Sequence, residues 1–257
     1  MVLELLSKNI HDMSIEQAKF VFRYDTSVEA AILGLQAVLK QHGVPEKGFK
    51  LYGKSLRFDR FLPEVRRMQH KGFDVIGQGF DFICGSVAKG HLDFLLIQLL
   101  SKLKIPWDDW AAQFVPSKNF VMAWIMDSEY DHWQNAYDPL QYTAVGRSYA
   151  HLPMKSNGLP YPLEQKIIDT SGNPGRWVFR DGYIEAVGAM MWLGEPFWQL
   201  TGTDKCTVMK SKWLQVSNPI PSVTKVQAAD KCFTTAEGAS GELQQKLRAL
   251  LFGSLNK

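Results

Sequence analysis

Asp127, Glu129 and Asp131 alternate and are followed by His132 in the segment DSEYDHWQNAYDP. Carboxylates at every second position resemble the first half of a calcium loop, with Asp138 at the place of the closing acid. However, His132 stands where the loop's sharp turn needs a glycine, and an aspartate closes the shell less well than a bidentate glutamate. Calcium binding is therefore not expected. The same carboxylates could serve a metal-dependent hydrolase built from scattered Asp, Glu and His residues, which is the enzymatic alternative. No basic or nucleophilic partner stands at a recognisable spacing from them.

Other chemistries fail on spacing. Gly77 and Gly79 open like a dinucleotide loop, but Phe82 occupies the third required position and would block close helix–strand approach. No glycine-lysine-serine phosphate cradle occurs, and Ser240, in EGASGE, lacks the glycine spacing of a nucleophile elbow. The histidines are His11, His42, His70, His91, His132 and His151, and none pairs at helical spacing for a metal. Cys84, Cys206 and Cys232 are odd in number and far apart, which suggests buried thiols in a reducing compartment. No catalytic residue, metal or cofactor is expected.

The acidic segment also suits recognition. Between Asp127 and Asp138 there are four carboxylates and no Lys or Arg, interleaved with Tyr130, Trp133 and Tyr137. Trp107, Asp108, Asp109 and Trp110 repeat the mixture. Aromatic anchors supply contact area at low entropy cost, and carboxylates steer a basic partner. An acidic, aromatic face would plug a positively charged groove such as that of a nuclease. The candidate contact set is Trp107, Asp108, Asp109, Asp127, Glu129, Tyr130, Asp131, Trp133, Tyr137 and Asp138. On the competing reading Trp107, Trp110 and Trp133 belong to the core and the acids are solvated helix starts, with Asp108 and Asp109 favoured in a first turn by the helix dipole.

The elements that must position these residues follow from periodicity. Lys19 to Tyr24 is β-rich and reads as a strand. Thr26 or Ser27 caps a helix to about Gln41, with Val28, Ala31, Ile32, Leu35, Val38 and Leu39 on one face and Gly43 and Pro45 ending it. The basic amphipathic stretch Lys54 to His70 reads as a helix with Pro63 in it or at its start, and its charges as a solvated face. Phe73 to Ser86 suggests a short strand or irregular loop, Leu92 to Leu103 a buried helix, and Phe120 to Met126 a central strand. Turn formers crowd His151 to Gly175, marking a long connection or a seam between two lobes. Arg176 to Arg180, Ile184 to Leu193, Lys212 to Val216 and Val223 to Phe233 are strand candidates. Glu242 to Phe252 is a closing helix. Strand–helix alternation stops after the opening, so the expected class is α+β: one unit over 1–257 with a mostly antiparallel sheet and helices on one side.

A net charge of +3 with no basic run gives no support for direct nucleic-acid binding. Leu92 to Leu103 is too short to cross a bilayer, so no membrane association is expected. Met1 to Ser14 does not read as a signal peptide, and cytoplasm is the expected compartment.

The run MMWLGEPFWQLTG, Met190 to Gly202, reads as a strand turning sharply into a helix, with Trp192, Phe197 and Trp198 filling the core. An exposed patch of that size would invite aggregation. The longer stretch GRWVFRDGYIEAVGAMMWLGEPFWQLTG, Gly175 to Gly202, resembles immunity proteins of bacterial polymorphic-toxin and type VI secretion systems. It is most similar to the family paired with toxins carrying a restriction-endonuclease-like domain. The likeness rests on Trp192 to Gly194 and on Phe197 and Trp198. It implies a cytoplasmic protein, not an enzyme, that binds a cognate toxin, expected to be a nuclease, and occludes it stoichiometrically.

Overall fold

The computed structural model describes residues 15–24, 27–45, 47–68, 72–100 and 103–253. The expectations placed on Met1 to Ser14, Thr26, His70 and Lys102 lie outside them. The chain opens with β1 (Glu16–Arg23), buried along its length except at its ends, followed by α1 (Val28–Gln41). Ser27 caps this helix, its Oγ accepting from Ala30 N at 3.2 Å. β2 (Lys50–Leu51), β3 (Lys54–Ser55) and a short 3-10 turn, Phe58–Arg60, lead into α2 (Phe61–Met68). A meander follows: β4 (Phe73–Ile76), β5 (Phe80–Val87) and β6 (Leu92–Leu99). Then come α3 (Trp107–Phe114), β7 (Phe120–Asp127), α4 (Ser128–Asn135) and α5 (Pro139–Thr143). Two ribbons, β8 (Met154–Ser156) with β9 (Lys166–Ile168) and β10 (Val178–Arg180) with β11 (Tyr183–Glu185), precede β12 (Met190–Gly194). The chain finishes through α6 (Glu195–Thr201), α7 (Lys205–Met209), β13 (Gln215–Ile220), β14 (Val223–Gln227) and α8 (Gly238–Phe252).

Ten strands form one sheet in the order β13-β14-β12-β7-β1-β6-β5-β4-β2-β3, and every neighbouring pair is antiparallel. The α+β class holds. The helices, however, cover both faces. One face packs Phe20, Phe22 and Trp192 against α1, α2 and α3. The other packs Val21, Met122 and Trp124 against α6, α7, α8 and the segment around Ile184. This two-sided cover explains why β7 is buried at every position.

It also explains the largest departure from expectation. Leu92 to Leu99 is a strand, paired over its full length with both β1 and β5. Leu95 and Ile97 face one core, Phe94 and Leu96 the opposite face. A strand with apolar residues on both sides carries no period of two, and leucines then fall at helical spacing by accident. Phe73 to Ser86 resolves into the β4–β5 hairpin, and Ile184 to Leu193 breaks into β11 and β12. A side chain at Gly188 would come within 2.4 Å of Ile125 O, and one at Gly194 within 2.5 Å of Phe120 O. Gly188, just before β12, and Gly194, at its end, let the backbone approach β7 closely. Trp192, Phe197 and Trp198 are buried as expected. Among the described residues no helix is long and apolar enough to cross a membrane.

Candidate functional site

The two acid-and-aromatic segments approach each other at one end of the sheet. Glu16 is the link: it lies opposite Asp127 across the β1–β7 pair, and its Oε2 accepts from Trp107 Nε1 at 2.9 Å. α4 begins where β7 ends. Asp127 Oδ1 accepts from Tyr130 N at 2.8 Å as the helix cap, and Ser128 N donates to Ile15 O at 2.8 Å. The chain is thereby folded back over β1, and Asp131, one turn along, comes down onto the sheet.

There it comes within electrostatic reach of Lys19. The residue is paired with Leu96 and Trp124 and points to the face opposite Phe20. Its ammonium lies 3.6 Å from the centroid of the Trp177 ring and 5.3 Å from that of Phe94. Gln17 Nε2 donates to Asp131 Oδ2 at 3.3 Å, the Trp177 side chain hydrogen-bonds the same carboxyl, and Gln98 Nε2 donates to Gln17 Oε1 at 2.8 Å. Burial pushes Asp131 up to about 7, against the pull of Lys19. Burial likewise draws Lys19 down to about 8, against the pull of Asp131.

A lysine and an aspartate so perturbed are what proton transfer would use. Access decides otherwise. The void beside Asp131, lined also by Tyr130, Gly175, Gly188 and Phe233, measures about 10 Å³, room for a single water at most. The rest of the shell closes it. Gln134 Oε1 accepts from Gly175 N at 3.0 Å, Asn135 Oδ1 from Trp177 N at 2.6 Å, and Gln244 Oε1 from Tyr130 Oη at 2.9 Å. From α8, Arg248 donates to the carbonyls of Pro174, Arg176 and Glu185, clamping the loop over α4. This cluster is a polar brace between α4, the sheet and α8.

The exposed part is different. A cleft of about 420 Å³ opens beside Glu16, floored by Leu99, Leu100, Leu103, Ile105 and Pro106 and rimmed by Lys104 and Trp107. Asp108 beside it is exposed but held by Lys225 Nζ at 2.7 Å, and Asp109 Oδ2 lies 3.0 Å from His42 Nε2. Both acids sit in the first turn of α3, as the helix-start reading has it.

The expectation that the carboxylates form one exposed face is corrected by these positions. Asp127 and Asp131 are buried at 5% and 7% exposure, because one caps α4 and the other faces Lys19. Asp138 Oδ1 is engaged as the cap of α5, accepting from Leu140 N at 2.9 Å. Glu129 is exposed, as is Tyr137. Tyr130 is half-buried and bonded to Gln244, and Trp133 is half-buried between Arg147, 4.4 Å from its ring, and Tyr142. Trp107 is half-buried while Trp110 is fully enclosed, so the core reading applies to Trp110. Of the thiols expected to be buried, Cys206 is exposed.

Sequence reasoning missed Glu16, Lys19 and Trp177. Lys19 had a signal: a lone cation between Ala18 and Phe20 in an apolar strand needs a partner once both faces are covered. Among the described residues no three of His, Cys, Asp and Glu are placed to hold a metal ion, the arrangement that the hydrolase alternative requires.

No protein-family model matches this sequence, and no curated protein matches it either. Among solved structures it is similar to the Pseudomonas aeruginosa T6SS protein PA0821, with a TM-score of 0.55 and 10% identity, over 93% of this chain and 74% of that one. The likeness is one of fold.

Proposed function

We propose that this chain is an immunity protein of a type VI or related toxin-delivery system, acting in the cytoplasm by binding a cognate toxin, a nuclease effector, and occluding its active site. The observation that carries the reading is the fold shared across 93% of the chain with a type VI secretion protein. The resemblance of Gly175 to Gly202 to that class of immunity protein agrees with it. So does the sealing of the strongly perturbed Lys19–Asp131 pair, which leaves that pair no room for a substrate.

The test is genetic and then physical. The product of the neighbouring reading frame is expressed alone and together with this chain. Killing by the first, relief by the second, and a stoichiometric complex of the two purified proteins are the expected results. Absence of protection, or turnover of a substrate by the purified chain alone, would overturn the proposal.

A further inference from the structure

The large hydrophobic side chains that remain exposed are not spread evenly. Of the twelve among the described residues, seven fall between Tyr137 and Leu163. They include Leu140 at 71% exposure, Leu159 at 51%, Tyr161 at 91% and Leu163 at 62%. Surface apolar residues scattered singly need no explanation, but a local concentration does.

Four of the seven, Met154, Leu159, Tyr161 and Leu163, lie on the β8–β9 ribbon, whose tip is held in shape by its own bonds. Asn157 Oδ1 accepts from Leu159 N at 3.1 Å and from Gln165 N at 3.2 Å, while its Nδ2 donates to Leu163 O at 3.0 Å. Leu163 N donates to Pro160 O at 2.9 Å. Pro160 and Pro162 restrict the backbone on either side of Tyr161. At the base, Lys155 Nζ bonds Asp169 Oδ1 at 2.8 Å and Ile168 N donates to Tyr137 O at 2.8 Å. Apolar side chains are thus presented on a backbone that loses little freedom when it binds.

The charges say what it fits. From Asn157 to Leu163 the tip carries none. Lys155 and Lys166 on the strands are balanced by Asp169 and Glu164. A basic nuclease groove offers nothing to such a tip, and an anionic membrane would call for unbalanced cations around it. We propose that the β8–β9 tip, with Tyr161 as its anchor, inserts into an uncharged apolar cleft on the partner toxin. This rests on the immunity reading and assigns one of its contacts.

The test compares the wild-type chain with Leu159→Ser/Tyr161→Ser and with Tyr161→Ala alone. Titration calorimetry uses the purified product of the neighbouring reading frame as probe. Thermal unfolding checks each fold, which the exposed tip should leave unchanged. At least roughly tenfold weaker binding is expected for each truncated tip side chain. Equal binding by wild type and both tip variants would overturn this inference while leaving the immunity reading intact. No binding by the wild type would overturn both. Two other results would also overturn it by assigning the tip elsewhere: a tip-dependent dimer of the chain alone in sedimentation, or tip-dependent binding to anionic phospholipid vesicles.

Discussion

Replacing both members of the buried Lys19–Asp131 pair by neutral residues of similar shape is expected to stabilise the protein near pH 7.5. Both groups are shut off from water, at 8% and 7% exposure. Burial moves each toward its neutral form, Asp131 up to about 7 and Lys19 down to about 8, so desolvation outweighs their mutual attraction. Exchanging buried charges of opposite sign for well-packed side chains of similar volume is often neutral or gains about 1–4 kcal/mol. In Lys19→Met/Asp131→Asn the losses are small. The new amide keeps one oxygen to serve both Gln17 Nε2 and the Trp177 side chain, and the methionine sulfur replaces the ammonium over Trp177 with a contact of about 0.3–1.5 kcal/mol. A net gain of about 2 kcal/mol corresponds to a rise in Tm of roughly 4–8 °C.

The pH dependence follows from the directions of the two shifts. Asp131 is raised above its unfolded value near ~3.9, so its stabilising share is complete below about that pH and is lost as pH climbs through about 7. Lys19 is depressed below its unfolded value near ~10.4, so its share is complete above about that pH and is lost as pH falls through about 8. The wild type is therefore at its greatest disadvantage between about 7 and 8, and the gap narrows toward both acid and base. Urea unfolding of the two proteins, followed by tryptophan fluorescence at acid, neutral and alkaline pH, measures it directly, since other ionisable groups are common to both. A double variant less stable than wild type at pH 7.5, or a gap of constant size across the range, would refute the reasoning.

Gly188→Ala should cost at least about 2 kcal/mol, because the new methyl meets the Ile125 carbonyl of β7 at 2.4 Å and a central strand cannot shift to make room. An unchanged Tm would contradict this. Glu129→Lys is expected to lower affinity for the toxin with no loss of Tm. Asp127→Ala should lose about 1 kcal/mol of stability through the missing α4 cap, as chemical denaturation would show. Equal effects of the two on Tm would count against the placement of these carboxylates. In the native protein a disulfide reagent should modify Cys206 promptly. Cys84 and Cys232, whose thiols burial pushes up to about 12, should react only on unfolding. A second thiol reacting at the rate of Cys206 would contradict that assignment.

Local pattern alone determined a good part of this protein. α1 was legible in its cap at Ser27 and its apolar stripe, β7 in its unbroken apolar run, and the buried turn from β12 into α6 in its crowded aromatics. Each is a short-range signal, readable within a dozen residues. The fate of Leu92 to Leu99 was decided by neighbours: β1 on one side, β5 on the other and cover on both faces removed the alternation that marks a strand. The acidic segment was decided the same way. Asp131 turns inward because α4 folds back onto Gln17 and Lys19, residues more than a hundred positions earlier, while Glu129, two residues away on the opposite side of the helix, stays in water. Charge is a property of the chain, but whether a charge meets solvent, a cation or a partner depends on which surfaces the fold brings together.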